Sequence, residues 1–238
     1  MKIGITLPQF RPTADDALAA VDAAERDDSG IDGVFLFDHL WAIERRGEPA
    51  VSCWPFAGAV AQRTSRLTIG TLVARVGLVP NAVLVNSFRT LVAIAGARVI
   101  AGLGSGDRLS RPENEDFDIP FLPLDERLDL LAAAAEATHD DLGLETWIGG
   151  RIEPVRELAR RVADALNLWG GPPAEVAESV RHGQPTTWGG VVPSDVGDIR
   201  AHLDDLRQAG ATWAVCAPPY KQGEPPELAI RLVSQSLT

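Results

Sequence analysis

Short apolar runs alternate with segments of helical period along the whole chain. Each run is short and several end in Gly, Pro or Asp, as buried parallel strands with crossover helices do. The first strand is expected at Lys2 to Leu7. A helix follows, with Thr13 as its cap and Ala17, Ala20, Val21 and Ala24 on one face. Further strands are expected at Gly33–Phe37, Leu67–Val73, Arg98–Leu103, Glu145–Ile148, Ala165–Trp169, Thr186–Val192 and Thr212–Cys216. Helices fill the intervals: about Cys53 to Arg63, from Pro80 onward, from Leu124, from Pro154, over Ala174–Arg181, after a Ser194 cap, and from Pro226 to about Ser236. The stretch from Gly104 to Pro123 reads as a long loop.

Eight such pairs in 238 residues suit one (β/α)8 barrel. An open doubly wound sheet is the alternative, but it needs a glycine-rich turn after the first strand. Pro8-Gln9-Phe10-Arg11-Pro12 cannot form that turn. No linker divides the chain, so residues 1–238 are expected to form one domain.

The net charge of −11 argues against a nucleic-acid partner. No apolar run reaches the length of a membrane span, and the start reads as a strand, not a signal peptide. Two distant cysteines and four scattered histidines leave no metal-ligand spacing. A cytoplasmic protein without a metal is expected.

In a barrel, chemistry gathers at the strand carboxyl ends. His39, after Asp38, can exchange a proton there; a loop histidine capping a carbonyl is the other reading. Gly102 to Asp107, with Gly104, Ser105 and Gly106, could bring backbone N–H groups to a ligand, or be a flexible turn. Gly149 and Gly150 could hold a phosphate at a helix start with Arg151 adding charge, or form a tight strand-to-helix turn. Of six tryptophans, Trp147, Trp169, Trp188 and Trp213 fall in strands, and Trp41 is the candidate for a substrate pocket.

The segments Lys2–Pro8, Gly33–Leu40, Thr64–Val73 and Arg98–Gly106 then form a familiar order. Glu113, Phe117, Ile119-Pro120-Phe121, Arg127, Trp147–Gly150 and Ala163–Leu166 extend it. Together they resemble the bacterial luciferase-like family of flavin-dependent monooxygenases and deazaflavin-dependent oxidoreductases, most strongly over residues 1–130. The resemblance implies a barrel holding coenzyme F420 or FMN at the strand carboxyl ends, and a homodimer. It implies that His39 passes the proton beside the cofactor ring with Asp38 as a binding neighbour. It implies a non-prolyl cis peptide at Leu72-Val73 against the ring, and a catalytic carboxylate at Asp107. The phosphate turn falls at Gly149-Gly150, and Glu113 joins Trp41 in the substrate pocket. The Asp-His pair favours F420 over FMN working with a separate reductase.

Two departures stand out. Thr138 to Thr146 is very short where the family carries an insertion, and Ala74 to Val79 lacks the family's usual wording. A compact enzyme with an open site, or a degenerate barrel that only binds, follows from that shortening.

Overall fold

The computed structural model describes residues 1–42 and 45–238. In chain order its elements are β1 (Lys2–Thr6), α1 (Asp15–Glu25), β2 (Gly33–Leu36), β3 (Trp41–Ala42), β4 (Arg45–Pro49), α2 (Cys53–Arg63), β5 (Thr68–Thr71) and β6 (Ala74–Arg75). There follow α3 (Asn81–Ala95), β7 (Val99–Gly104), α4 (Arg111–Asp116), α5 (Leu124–Glu136), β8 (Glu145–Gly149), α6 (Glu153–Val162) and β9 (Ala165–Trp169). The chain ends with α7 (Pro173–Arg181), β10 (Thr186–Val191), α8 (Val196–Gln208), β11 (Trp213–Ala217) and α9 (Glu227–Ser236).

Eight parallel strands close into a ring in the order β1, β2, β5, β7, β8, β9, β10, β11. The seam between β5 and β7 is closed by Ile69 opposite Val99, and β11 returns to β1 with Trp213 opposite Lys2. The expected (β/α)8 barrel is therefore the fold. Helices cover the outside because their apolar faces repeat at helical spacing. Leu84, Phe88, Leu91 and Ala95 of α3 are all buried, as the spacing predicts. No helix among the described residues is long and apolar enough to cross a membrane.

The barrel interior is a second core, separate from the shell between strands and helices. Phe35, Leu72, Ile100, Trp147, Ala165, Trp213 and Val215 fill it. Phe35 stacks on Trp147 with ring centroids 5.2 Å apart and meets the edge of Trp213 at 5.6 Å. Room for its ring comes from Gly4 and Gly70 on the two flanking strands, where any Cβ would collide with it.

Three local expectations are corrected, and one hairpin is added. Thr13 does not cap α1: its hydroxyl meets the Asp15 carboxylate at 3.0 Å. Asp195, not Ser194, caps α8 by accepting from the N–H groups of Gly197 and Asp198. The supposed loop from Gly104 to Pro123 holds a 3-10 turn at Arg108–Ser110 and the helix α4. Beyond His39, Trp41–Ala42 and Arg45–Pro49 pair antiparallel as the β3–β4 hairpin. Neither of the last two carries an apolar period: all five residues of β4 are exposed, and α4 turns a glutamate and an asparagine inward.

Candidate active site

The strand carboxyl ends gather a buried ionic cluster on one side of the barrel mouth. Glu113, on α4, is fully buried. A carboxylate can stand there only if donors surround it, and four do. His39 Nδ1 lies 3.1 Å from one oxygen, which Arg75 also reaches. The backbone N–H groups of Leu40 and Trp41 donate to the other oxygen, the latter at 3.1 Å. Burial pushes the Glu113 carboxyl up; the bonds from His39 and Trp41 and the Arg75 charge outweigh it, leaving the pKa below its ordinary value. Glu113 is thus held as an anion beneath His39. It does not line a substrate pocket, and that expectation is corrected: the side chain is 1% exposed and faces the cluster.

Arg75 binds the rest together. Its Nε donates to the Asp38 carbonyl at 3.2 Å, and its backbone N–H to the Asp38 carboxylate at 3.2 Å. Another guanidinium nitrogen reaches Asn114 Oδ1 at 3.3 Å. Burial lowers the Arg75 pKa from its usual height; burial also raises that of Asp38, outweighing the Arg75 N–H bond and the charges of Arg75 and His39 that pull it down. Asp38 therefore supports the network from inside, and His39 is the member that reaches the mouth, with its side chain 23% exposed.

A bulge separates β5 from β6. Gly70 pairs with Ile100 and Ala74 with Leu103, so four steps on one strand oppose three on the other. The Leu72-Val73 peptide inside it is cis. Val73 packs against two of the glycines singled out from the sequence. A Cβ on Gly104 would lie 2.5 Å from Val73 Cγ2, and one on Gly149 2.8 Å from Val73 Cγ1. The N–H of Gly150 donates to the Asn167 carbonyl at 3.2 Å, and a Cβ there would strike Val155. Both glycines of the Gly149-Gly150 turn are thus required by packing.

The other expected site residues are placed as follows. Asp107 is exposed at the end of the β7 loop, and its carboxylate caps the 3-10 turn, accepting from Leu109 N at 2.9 Å and Ser110 N at 3.1 Å. Ser105 is buried at the base of that loop, and Gly106 takes a left-handed φ of 69°. Arg151 is half-exposed and paired with Glu175 at 2.6 Å. Trp41 is buried under the Arg46 guanidinium, 5.6 Å from its ring. Among the described residues no group of three or more His, Cys, Asp or Glu could hold a metal.

From the ionic cluster an aromatic row that sequence reasoning did not assemble runs across the mouth. Trp169, at the end of β9, meets the edge of Phe37 at 5.7 Å. Phe37 stacks on Phe10 at 5.4 Å, and Phe10 approaches His39 at 6.1 Å. Gln9 fixes this corner by bonding both the N–H and the carbonyl of Phe37.

Comparison with known proteins agrees with this architecture. A curated relative, the F420-dependent glucose-6-phosphate dehydrogenase of Nakamurella multipartita, is 30% identical over 224 residues, covering 85% of this chain and 60% of that protein. The chain therefore spans about 60% of the length of that relative. Among solved structures, an F420-dependent secondary alcohol dehydrogenase in complex with an F420-acetone adduct superposes with a TM-score of 0.77 at 15% identity, covering 99% of this chain and 98% of that one. The monooxygenase RslO1 from Streptomyces bottropensis superposes with a TM-score of 0.76 at 16% identity, covering 100% and 98%. At such identities these two likenesses carry the fold alone. The model of the luciferase-like monooxygenase family matches residues 1–184, and the chain belongs to that family.

Proposed function

We propose that this protein is an oxidoreductase that uses coenzyme F420 to exchange a hydride with a small organic substrate, and that His39 handles the accompanying proton. The observation that carries the reading is the His39–Glu113 pair at a barrel mouth. The curated relative named as F420-dependent supports the choice of coenzyme. The donor set fits the ring of such a coenzyme: an apolar surface at Val73 beside Gly104, with one imidazole edge open next to it. The N–H groups that open α6, after Gly150, suit a phosphate at a helix start. When bound, coenzyme F420 supplies a two-electron hydride acceptor or donor.

The chain's own residues supply the rest. Anionic Glu113 accepts from Nδ1, so the neutral imidazole carries its proton there and keeps a lone pair on Nε2. Nε2 can take the hydroxyl proton of an alcohol as its C–H hydride departs, or return it to a carbonyl oxygen in the reverse direction. The ion pair with Arg75 fixes the carboxylate, and the backbone N–H groups of Leu40 and Trp41 tie it to the loop that bears His39. Asp107 is engaged as a cap through one carboxylate oxygen, Oδ1. Titration with F420 and, separately, with FMN, followed by fluorescence, tests the coenzyme. Saturation by F420 is expected; saturation by FMN alone would replace this reading with that of a flavin monooxygenase, and saturation by neither with that of a degenerate barrel.

A homodimer fits the outer face of α2 and α3. Val83 is 50% and Ile94 39% exposed there, and Arg89 is the one charged residue in α3. Sedimentation of the parent against Val83→Glu tests this pairing. Cys53 and Cys216 are free and buried, which supports a reducing, cytoplasmic setting.

A further inference from the structure

The ring order places three strands between β2 and β9 whichever way the barrel is followed, so these two strands face each other across it. Phe37 follows β2 and Trp169 ends β9. Their contact at 5.7 Å, nearly perpendicular at 77°, therefore bridges the mouth. The bridge continues through Phe10 to His39, so four rings form one strip that ends at the proposed proton carrier. Trp169 remains 39% exposed, with Ile152 at 50% and Val191 at 74% at neighbouring strand ends. Exposed apolar surface concentrated at a site mouth marks a place where something apolar binds.

The charges near the strip point the same way. A phosphate monoester needs fixed cations, and those nearest are already engaged. Arg11 lies 3.6 Å from the Asp16 carboxylate and donates to the carbonyls of Phe10 and Tyr220. Arg75 is buried on Glu113, and Arg151 is held by Glu175, which also takes Arg156. Recruiting Arg75 would strand the buried Glu113 carboxylate, and Arg11 and Arg151 would each have to leave the bonds that hold them.

Resting on the oxidoreductase reading above, we propose that the substrate is an uncharged, largely apolar and planar alcohol or carbonyl compound. It lies along Trp169, Phe37 and Phe10 with its oxygen at His39, and a sugar phosphate does not occupy this face. The hydride leaves the carbinol carbon for the coenzyme and the hydroxyl proton goes to His39 Nε2, giving the carbonyl; the reverse consumes both.

The experiment uses acetophenone and 1-phenylethanol, the two redox states of one uncharged aromatic skeleton, against glucose 6-phosphate. Binding is read by quenching of tryptophan fluorescence, with and without F420, and F420 affinity is scored separately on the same samples. The aromatic pair is expected to saturate and glucose 6-phosphate not to. Trp169→Ala should weaken the aromatic probes about tenfold, and Trp169→Phe should restore most of that. Unfolding midpoints of both variants serve as the control for folding. Saturation by glucose 6-phosphate, above all if abolished by Arg108→Ala on the exposed turn after β7, overturns the proposal. So does failure of both aromatic probes, or an unchanged affinity in Trp169→Ala. Probe binding that follows Trp169 without any F420 binding would sink the coenzyme assignment and leave the strip as the apolar site.

Discussion

The two halves of the barrel mouth are built on opposite principles. The half formed by β2, β6 and α4 is ionic: Asp38, His39, Arg75 and Glu113 are joined by hydrogen bonds between residues far apart in sequence. The half formed by β8, β9 and β10 presents glycine, tryptophan and valine, and its charges, Arg151 and Glu175, are paired at the rim. A buried ion network is rigid only when every member is satisfied, whereas apolar surface tolerates exchange of occupants. The ionic half suits the step common to every substrate, the proton. The apolar half suits the part that varies between substrates.

Removing the central anion should break this contrast most sharply. Glu113→Ala leaves Arg75 buried without its partner, and breaking such a pair costs about 3–5 kcal/mol. Denaturant unfolding checks it. Acid dependence adds a signature. A carboxyl with a folded pKa below its ordinary 4.5 contributes stability above that value, and the contribution is lost as pH falls through the folded pKa. Asp38, whose folded pKa is raised above 3.8, acts in reverse: its contribution is full at low pH and lost as pH rises through the folded value. Glu113→Gln should therefore flatten the acid loss of stability, and Asp38→Asn should steepen it. Equal acid profiles for the two variants would contradict the opposite roles given to these carboxylates.

His39→Ala separates chemistry from architecture within the ionic half. The imidazole is partly exposed and its loss leaves Glu113 with Arg75 and two N–H groups, so the fold should survive. Single-turnover hydride transfer should fall by at least about a hundredfold, or roughly 2.7 kcal/mol, while F420 affinity stays within a few fold. An unchanged single-turnover rate would remove His39 from the mechanism.

On the apolar half, Gly149→Val should cost about 1–3 kcal/mol, because the new side chain meets Val73 in a filled space. The bulge would shift with it, so F420 affinity should fall as well. The double variant Gly149→Val/Val73→Ala should recover part of the stability by vacating that space. A phosphate clash alone would leave stability unchanged in both.

The two halves also differ in how far the sequence discloses them. The apolar half lies in strands, and strands announce themselves: the apolar run Ala165–Trp169 has the bounds of β9. His39 and Asp38 were found because a strand precedes them. Arg75 was absent from the candidates and Glu113 was misplaced, because their pairing spans 38 residues and α4 has no apolar period to reveal it. One signal was available: an arginine between Ala74 and Val76, in an otherwise apolar stretch, is a buried charge in search of a partner. The aromatic strip escaped for a related reason. Its rings come from opposite strands, and only barrel closure brings them together.

The smallest effect is expected at the rim, where the two halves can be compared most finely. Arg151 was expected to add charge for a phosphate, but its guanidinium lies against Glu175, half in solvent. An exposed pair of this kind contributes little, so Arg151→Ala should change stability by less than about 1 kcal/mol. Glu175 would keep its bond to Arg156, so no buried carboxylate is stranded. If the coenzyme phosphate is held by the N–H groups opening α6, F420 affinity should change less than about threefold, since one screened charge nearby is worth only tenths of a kcal/mol. Glu175→Gln, which releases both arginines, should then tighten F420 binding more than Arg151→Ala weakens it. A tenfold or larger loss in Arg151→Ala would show instead that the guanidinium leaves Glu175 for the phosphate, and would give this side of the mouth a working charge after all.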